Sequence, residues 1–212
     1  ATGAVIEIVF LFGLAFPIWA ERVNDVPDTR DAETMRVIAQ QYAWNIHYPG
    51  PDGKFGATRI DLVDEQDNPI GLDRNSQFAE DDFTTINQLH IPVNRKIRVD
   101  LSSKDVIHNF KLPELRVSQD AIPGMVIPVH FTATSTSEEF LKTAVGTKRE
   151  GKGLEIACAQ LCGLGHYRMK GYVTIHEEDD YQAWLDEQAS YLEEEDGDDW
   201  GDDGDDWGDD DW

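Results

Sequence analysis

Residues 158–169 read Cys158-Ala-Gln-Leu-Cys162-Gly-Leu-Gly-His166-Tyr-Arg-Met169, and this run holds both cysteines of the chain. Two thiols, an imidazole and a thioether therefore lie close together along the sequence. Thiolate and thioether groups favour copper(I), zinc or iron–sulfur clusters, and imidazole suits copper and zinc. Because a thioether is a poor zinc ligand, Met169 favours copper. The two glycines let the backbone turn tightly enough for these side chains to converge.

The number of cysteines distinguishes between kinds of copper site. A mononuclear blue-copper site uses one cysteine, two histidines and a weak axial methionine. A second cysteine allows two metals to be held by bridging thiolates. A further imidazole must then come from upstream, and Asp105-Val-Ile-His108 supplies a candidate before Pro113.

The pattern Cys-x3-Cys-Gly-x2-His-x2-Met, preceded by Asp-Val-Ile-His and by Asp120-Ala-Ile-Pro-Gly124, closely resembles the binuclear copper (CuA) domain of cytochrome c oxidase subunit II. The resemblance spans roughly residues 36 to 186 and implies an all-β, cupredoxin-like Greek-key sandwich or barrel. It implies two copper ions, and its ligands would be His108, Cys158, the carbonyl of Gln160, Cys162, His166 and Met169. The family usually has Glu at the position of Gln160, and that side chain also reaches a magnesium ion at the subunit interface. Gln160 keeps the carbonyl but loses the charge, so the resemblance is not extended to a magnesium site.

Two simpler interpretations use the same residues. The two cysteines could form a disulfide in an oxidising compartment, which would leave His166 and Met169 without a role. A zinc site could instead be built from both cysteines with His108 and His166. The upstream motifs favour copper over both.

The resemblance also implies a function. The chain would be a subunit of a haem-copper terminal oxidase that takes single electrons from a c-type cytochrome and passes them to haem in the catalytic subunit. Oxygen would be reduced in that partner, which Asp120 and the segment after it would face. Two alternatives are a copper delivery or storage protein and the copper domain of a nitrous oxide reductase, although an apolar N-terminal segment argues against the second.

Aromatic residues mark the expected point of electron entry. Tyr42, Trp44 and Tyr48 share a parity in a segment that alternates from Met35 and ends at Pro49-Gly50, so they should project from one face of a strand. Packing in the core would explain any one of them. By resemblance, Tyr42 takes the entry position and Trp44 lies beside it.

The N-terminal segment is almost wholly apolar from Val5 to Ala20, with Glu7 as its one charge. It is short of the roughly 20 residues that a membrane helix needs, but it lacks the basic start and small-residue cleavage site of a secretory signal. We expect a transmembrane anchor over residues 1–22, a linker over 23–34, and the copper domain over 35–192. The resemblance places the chain in the bacterial inner membrane with the copper domain on the periplasmic face.

Charge decides which partners are plausible. The net charge is −24, which excludes nucleic acid because phosphate binding needs clustered basic residues. Residues 193–212 hold much of this charge and no basic residue, and their composition predicts a disordered tail. We expect the tail to attract a basic cytochrome and to contact it through three tryptophans, Trp200, Trp207 and Trp212.

The remaining segments give less specific expectations. Periodicity predicts one strand over 89–101, with Ile97, Val99 and Leu101 on one face, and further strands over 126–132 and 171–175. Residues 138–153 read as a solvated loop with several basic residues. A short helix should begin at Tyr181 and reach Leu192. His47 and His90 read as ordinary strand residues.

Overall fold

A computed structural model describes residues 2–197, whose central feature is a pair of five-stranded β-sheets that share one core. The strands are β1 (Glu33–Gln40), β2 (Ala43–Tyr48), β3 (Phe83–Ile86), β4 (Gln88–Pro92), β5 (Lys96–Ser103), β6 (His108–Leu112), β7 (Val117–Ala121), β8 (Ile127–Thr132), β9 (Leu154–Cys158) and β10 (Lys170–His176). The strand orders are β3-β2-β1-β5-β8 and β4-β10-β9-β6-β7. Strands β1 and β5 pair parallel, as do β4 and β10, and the other neighbours pair antiparallel. This is the predicted cupredoxin-like β-sandwich.

The core lies between the sheets and follows the alternation of the strands. Ile97, Val99 and Leu101 on β5 are fully buried, which confirms the predicted face. Trp44 on β2 and Phe110 on β6 meet in the same core, with ring centroids 5.5 Å apart. Burying one such side chain stabilises a fold by about 1.5–3 kcal/mol, so the alternation fixes which face of each strand turns inward.

Two predicted strands are each divided in the structure. The segment from Met35 to Pro49 is a hairpin in which β1 turns at Gln41–Tyr42 into β2, with Gln40 opposite Ala43. Residues 89–101 hold β4 and β5, which lie in different sheets. The turn between them places Asn94 at φ 58°, a left-handed conformation that Asn tolerates better than most residues. Both single-strand predictions were wrong because the apolar alternation continues across these turns.

The N-terminal helix is longer than the apolar stretch from Val5 to Ala20. It comprises α1 (Thr2–Phe10), a π-helical turn (Leu11–Ala15) and α2 (Phe16–Val23). Together they form 22 residues with a mean hydropathy of 2.0. At 1.5 Å per residue the helix is about 33 Å long, close to the thickness of a bilayer's hydrocarbon core. Its length and composition therefore suit a membrane span.

Two more helices correct the expectations for the C-terminal half. Helix α3 (Ser137–Ala144) occupies much of the predicted loop, and a capping box between Thr136 and Glu139 starts it. Helix α4 (Glu178–Gly197) extends beyond the predicted end at Leu192. The tail tryptophans Trp200, Trp207 and Trp212 lie outside the described residues.

Candidate metal centre

The loop between β9 and β10 brings two thiols together. Cys158 ends β9, Cys162 lies in the loop, and their Sγ atoms are 3.8 Å apart. Both thiols are free, so the disulfide interpretation is wrong. Cys162 is buried and Cys158 is half-buried, which leaves one side of the pair open toward solvent. The two sulfurs are therefore close enough to contribute to one metal site.

One imidazole lies beside each thiol. His108 Nδ1 is 3.8 Å from Cys158 Sγ, and His166 Nδ1 is 3.5 Å from Cys162 Sγ. His108 is the first residue of β6, and β6 pairs with β9 so that Phe110 lies opposite Cys158. The sheet itself therefore delivers the distant imidazole to the loop.

Asp105 fixes the orientation of the buried His108 ring. Its Oδ1 is 2.8 Å from His108 Nε2, and its Oδ2 accepts a hydrogen bond from the Gln41 backbone N–H at 2.7 Å. When Nε2 carries the proton and donates a hydrogen bond to this carboxylate, Nδ1 is left with a free lone pair facing the thiols. A carboxylate behind a ligating imidazole commonly selects the tautomer in this way.

Two weaker donors complete the set. Met169 Sδ lies 3.7 Å from Cys162 Sγ and is buried, whereas the Gln160 carbonyl oxygen lies 3.1 Å from Cys158 Sγ. Each end of the thiol pair thus has one imidazole and one weak donor. Among the described residues, His108, Cys158 and Cys162 form a group whose ligand atoms all lie within 4.8 Å of one another.

The donor chemistry fits copper. Thiolates, imidazoles and a thioether are the soft and borderline ligands that copper takes. A zinc site would use only four of these groups and would leave Met169 beside Cys162 without a role. The six predicted ligands are therefore all brought to one place.

The two thiols differ in acidity. Burial raises the pKa of Cys158, but the neighbouring His108 imidazole and backbone groups outweigh it and lower the pKa to about 6. Burial and the adjacent Cys158 raise the pKa of Cys162 to about 11. Metal binding requires both thiolates, so it must displace a proton from Cys162 at neutral pH.

The tip of the β1–β2 hairpin packs against the ligand loop. The Gln41 side-chain amide donates a hydrogen bond to the Cys162 carbonyl oxygen. A Cβ on Gly165 would lie 2.6 Å from Cδ2 of the Tyr42 ring, and Gly163 adopts φ 135°, a conformation that favours glycine. Both glycines therefore let the hairpin hold the loop at close range.

The proposed electron-entry residues occupy different environments. Tyr42 is half-buried against the loop, with the Arg168 guanidinium 5.7 Å from its ring centroid. Trp44 is 0% exposed, and its ring centroid lies 6.1 Å from that of His108. A docked protein could therefore contact Tyr42, but it could not contact Trp44.

Asp120 lies next to the ligand strand. It sits on β7 opposite Asn109 of β6, and its Oδ1 accepts a hydrogen bond from the Asn109 side chain at 2.7 Å. The segment after it presents Met125 and Val126 to solvent. Asp120 therefore lies one residue along from His108 on the sheet.

Sequence reasoning missed two features. Leu161, Leu164 and Tyr167 stand 80%, 96% and 81% exposed on the ligand loop, and the position of Leu164 between Gly163 and Gly165 was the available signal. The second feature is His47, which is fully buried with Nε2 2.6 Å from the equally buried Asp82 carboxylate. Nothing in the sequence pairs these two residues, which lie 35 positions apart.

Comparisons with known proteins point to one family. Residues 34–175 match the family model of the periplasmic domain of cytochrome c oxidase subunit II. An alternative cytochrome c oxidase subunit 2 of Bradyrhizobium diazoefficiens is 31% identical over 90% of this chain and 62% of its own length. A cytochrome c oxidase subunit 2 of Cereibacter sphaeroides is 29% identical over 73% of this chain and 48% of its own.

A solved structure supports the fold. The crystal structure of the periplasmic domain of cytochrome oxidase subunit II of Bradyrhizobium japonicum is similar, with 27% identity and a TM-score of 0.51. The match covers 79% of this chain and 99% of that domain. The chain spans less than two thirds of the length of the curated relatives given above.

Proposed function

The chain belongs to the cytochrome c oxidase subunit II family, and we propose that it carries electrons from a c-type cytochrome to haem in the catalytic subunit of a haem-copper oxidase. The observation that carries the proposal is the pair of free thiols with one imidazole nitrogen beside each sulfur. In this assignment Cys158 and Cys162 would hold two copper ions together with His108 and His166, and Met169 and the Gln160 carbonyl would be weaker ligands.

Bound copper would supply reversible one-electron transfer. The protein's part is to keep the ligands in place, so that little has to move when the charge changes. Asp105 holds the His108 ring, β6 and β9 fix His108 relative to Cys158, and the hairpin tip contacts the Cys162 carbonyl. Because three parts of the fold hold the ligands, the ligands would move little between the oxidised and reduced states. A small structural change at each redox step favours fast electron transfer.

The surface around the ligand loop suits a donor protein. Leu161, Leu164 and Tyr167 form an exposed apolar rim on the ligand loop, which Tyr42 contacts from the hairpin, and the chain as a whole is strongly acidic. We propose that the negative field draws a basic cytochrome toward the rim and that Tyr42 is the first residue on the path to the centre. The tail tryptophans would add a further contact.

The arrangement of the chain suits a membrane complex. Helix Thr2–Val23 would anchor the protein in the bacterial inner membrane, and the β-sandwich would lie on the periplasmic face. We propose that Asp120 and the following segment face the haem-bearing subunit, where oxygen is reduced. Met125 follows Gly124, where the family often has an arginine, so a direct arginine contact at that position is not part of the proposal.

Rapid mixing with a reduced c-type cytochrome tests the proposal. The copper-loaded full chain should reoxidise the cytochrome and keep its copper. Leu164→Ser should slow the reaction, because it removes an exposed contact on the rim without disturbing the core. Leu141→Ser on α3 is the matched control and should leave the rate unchanged. A chain that accepts no electrons but gives its copper to a second protein would support the delivery or storage alternative instead.

A further inference from the structure

The charge of the chain is distributed unevenly between its parts. From the start of β6 to the end of β10, residues 108–176 include eight basic and six acidic residues, whereas the rest of the chain includes ten basic and 36 acidic ones. This stretch supplies four of the five strands of the β4-β10-β9-β6-β7 sheet. One side of the sandwich is therefore close to neutral in a chain whose net charge is −24.

Two lysines flank a small residue on the outer face of this sheet. Lys111 of β6 and Lys170 of β10 both lie opposite Ala157 of β9, so the three side chains project to the same side. Phe110 and Leu112 on either side of Lys111 are buried, which places Lys111 on the side away from the core. Strands lie about 4.8 Å apart, so about 10 Å separates the backbones of the two lysines. We call these three residues the lysine row.

The carboxylates around the lysine row leave much of its charge open. The Lys170 ammonium lies 3.6 Å from Glu155 Oε1, beyond hydrogen-bond distance, and both side chains are partly exposed. Lys111 is exposed and forms no ion pair with any described residue. Asp120 is the acidic residue on the neighbouring β7, and its Oδ1 already accepts a hydrogen bond from the Asn109 side chain. Both ammonium groups can therefore receive further carboxylates.

Arg168 extends the positive charge toward the ligand loop. It lies in the 3-10 turn just before β10 and is exposed, with its guanidinium 5.7 Å from the centroid of the Tyr42 ring. Within the described part of the chain it has no ion-pair partner. Positive charge thus continues from the lysine row to the rim of the proposed metal centre.

The end of α4 lies close to the start of β10. Leu192 of α4 shares a crevice with Ile86 at the end of β3. The next residue, Asn87, accepts a hydrogen bond from the Tyr172 backbone N–H at 2.8 Å, and Tyr172 follows Lys170 by two positions. Beyond α4, residues 198–212 include nine acidic and no basic residues. These fifteen residues can span up to about 50 Å when extended, so they can reach the lysine row.

We propose that residues 198–212 bind across the lysine row when no partner protein is present. Their aspartates would contact Lys111 and Lys170, and the segment would continue toward Arg168. Each exposed ion pair contributes little alone, but the segment is tethered to the same chain, so its effective concentration is about millimolar. Bound in this way, the tail would bring its tryptophans beside the rim where we propose that the donor docks. The assignment uses no copper ligand and does not depend on electron transfer.

Carbodiimide cross-linking of the full chain tests the proposal, because this reagent joins a carboxylate to an amine that it contacts. We expect aspartates of residues 198–212 to become linked to Lys111 and Lys170, and these links should be lost in about 1 M salt, where charges are screened. The link between Glu155 and Lys170 is the internal control, since these groups are already 3.6 Å apart. Mixing the chain with a ¹⁵N-labelled copy shows by mass spectrometry whether each link forms within one chain.

Substitutions locate the contact. Lys111→Gln should lower the initial rate of cross-linking between the tail and Lys170 by up to about fivefold, as expected for loss of one exposed ion pair. Lys54→Gln is the matched control, because Lys54 lies over the Phe78 ring in the segment between β2 and β3, and it should leave the rate unchanged. The backbone amide of Ala157 reports the contact without a reagent. Its NMR shift should differ between the full chain and a chain that ends at Gly197.

Four results would overturn the assignment. The first is the absence of tail links while the link between Glu155 and Lys170 forms, and the second is an equal rate for the Lys111 and Lys54 variants. The third is a tail that links only labelled to unlabelled chains, because the lysine row would then bind the tail of a second copy. The fourth is an identical Ala157 shift in the full and shortened chains, which would leave the row open to an acidic partner protein instead.

Discussion

At the scale of single residues, the proposed metal centre depends on Asp105, which holds one of the proposed ligands in place. Asp105 accepts hydrogen bonds from the His108 ring and from the Gln41 backbone, so one side chain ties an imidazole to the hairpin that covers the loop. The two thiols and His166 could be predicted from local spacing, and His108 could be predicted from the upstream motif and the family resemblance. The assignment of one imidazole to each thiol could not, because it depends on how β6 pairs with β9.

Asp105→Asn tests this residue. The amide keeps the size of the side chain but loses the charge that holds the proton on Nε2, so we expect copper affinity to fall about 10- to 100-fold. Asp120→Asn is the control, because Asp120 hydrogen-bonds to Asn109 and to no proposed copper ligand. Competition with a copper chelator measures both affinities. Equal affinities for the two variants would show that Asp105 does not orient the ligand.

At the scale of elements, two contacts organise the domain around its strands. The β1–β2 hairpin holds the ligand loop, and α4 packs on β4 and β10 through Trp184. The Trp184 ring stacks on His90 with centroids 4.2 Å apart, and His90 Nδ1 lies 2.8 Å from His176 Nε2. His90 was predicted to be an ordinary strand residue, since nothing in a single sequence shows that β4 and β10 would be neighbours.

The turns show where sequence reasoning stops. Gln41–Tyr42 lacks the glycine or asparagine that usually marks a tight hairpin, so the strand was predicted to continue. The start of α3 was different, because Thr136 followed three residues later by Glu139 is a capping-box signal that is visible in the sequence. A turn that lacks the usual turn residues cannot be predicted from the local sequence. It becomes visible only with the tertiary contacts, here the contact between Tyr42 and the ligand loop.

Gly165→Ala tests the contact between hairpin and loop. The added methyl group would lie 2.6 Å from the Tyr42 ring, so we expect a loss of about 1–3 kcal/mol in the free energy of unfolding, as for overpacked sites. Gly153→Ala is the control, because nothing lies within 4 Å of its added Cβ. Urea denaturation of both variants gives the difference. Equal stability would mean that the loop does not rest on Tyr42.

The pair of His90 and His176 makes the stability of the fold depend on pH. Burial and the neighbouring His176 lower the pKa of His90 from 6.5 to about 4, and burial lowers the pKa of His176. Between about pH 4 and pH 6.5 the unfolded chain therefore binds more protons than the folded chain. The contribution of the two neutral histidines to the free energy of unfolding is fully present above about pH 6.5, and it is lost as the pH drops toward 4. We expect the urea midpoint of His90→Asn to fall less steeply over this range. Parallel profiles for the two proteins would contradict the assignment.

At the scale of the whole molecule, net charge and an apolar N-terminal helix bear on how the proposed partners would meet. The chain carries −24 net charge, and an apolar helix of 22 residues precedes the β-sandwich. Composition alone predicted the negative electrostatic field of the chain and its apolar N-terminal segment. The fold followed from the resemblance, because alternation by itself did not separate the strands of the two sheets.

Removing residues 193–212 tests the role of the acidic tail. We expect slower association with a basic c-type cytochrome and a weaker dependence on salt, because steering by charge is screened by ions. A tail with every acidic residue replaced by its amide should lose the salt dependence but retain any contact made by the tryptophans. Unchanged binding and salt dependence in the truncated chain would show that the tail does not meet the cytochrome.

The central claim is that Cys158 and Cys162 hold two copper ions between them, and the copper-loaded full chain tests it directly. Metal analysis together with visible and electron paramagnetic resonance spectra should give two coppers per chain, a purple colour and one unpaired electron shared by both ions. A single copper per chain, or a colourless protein that prefers zinc, would contradict the account.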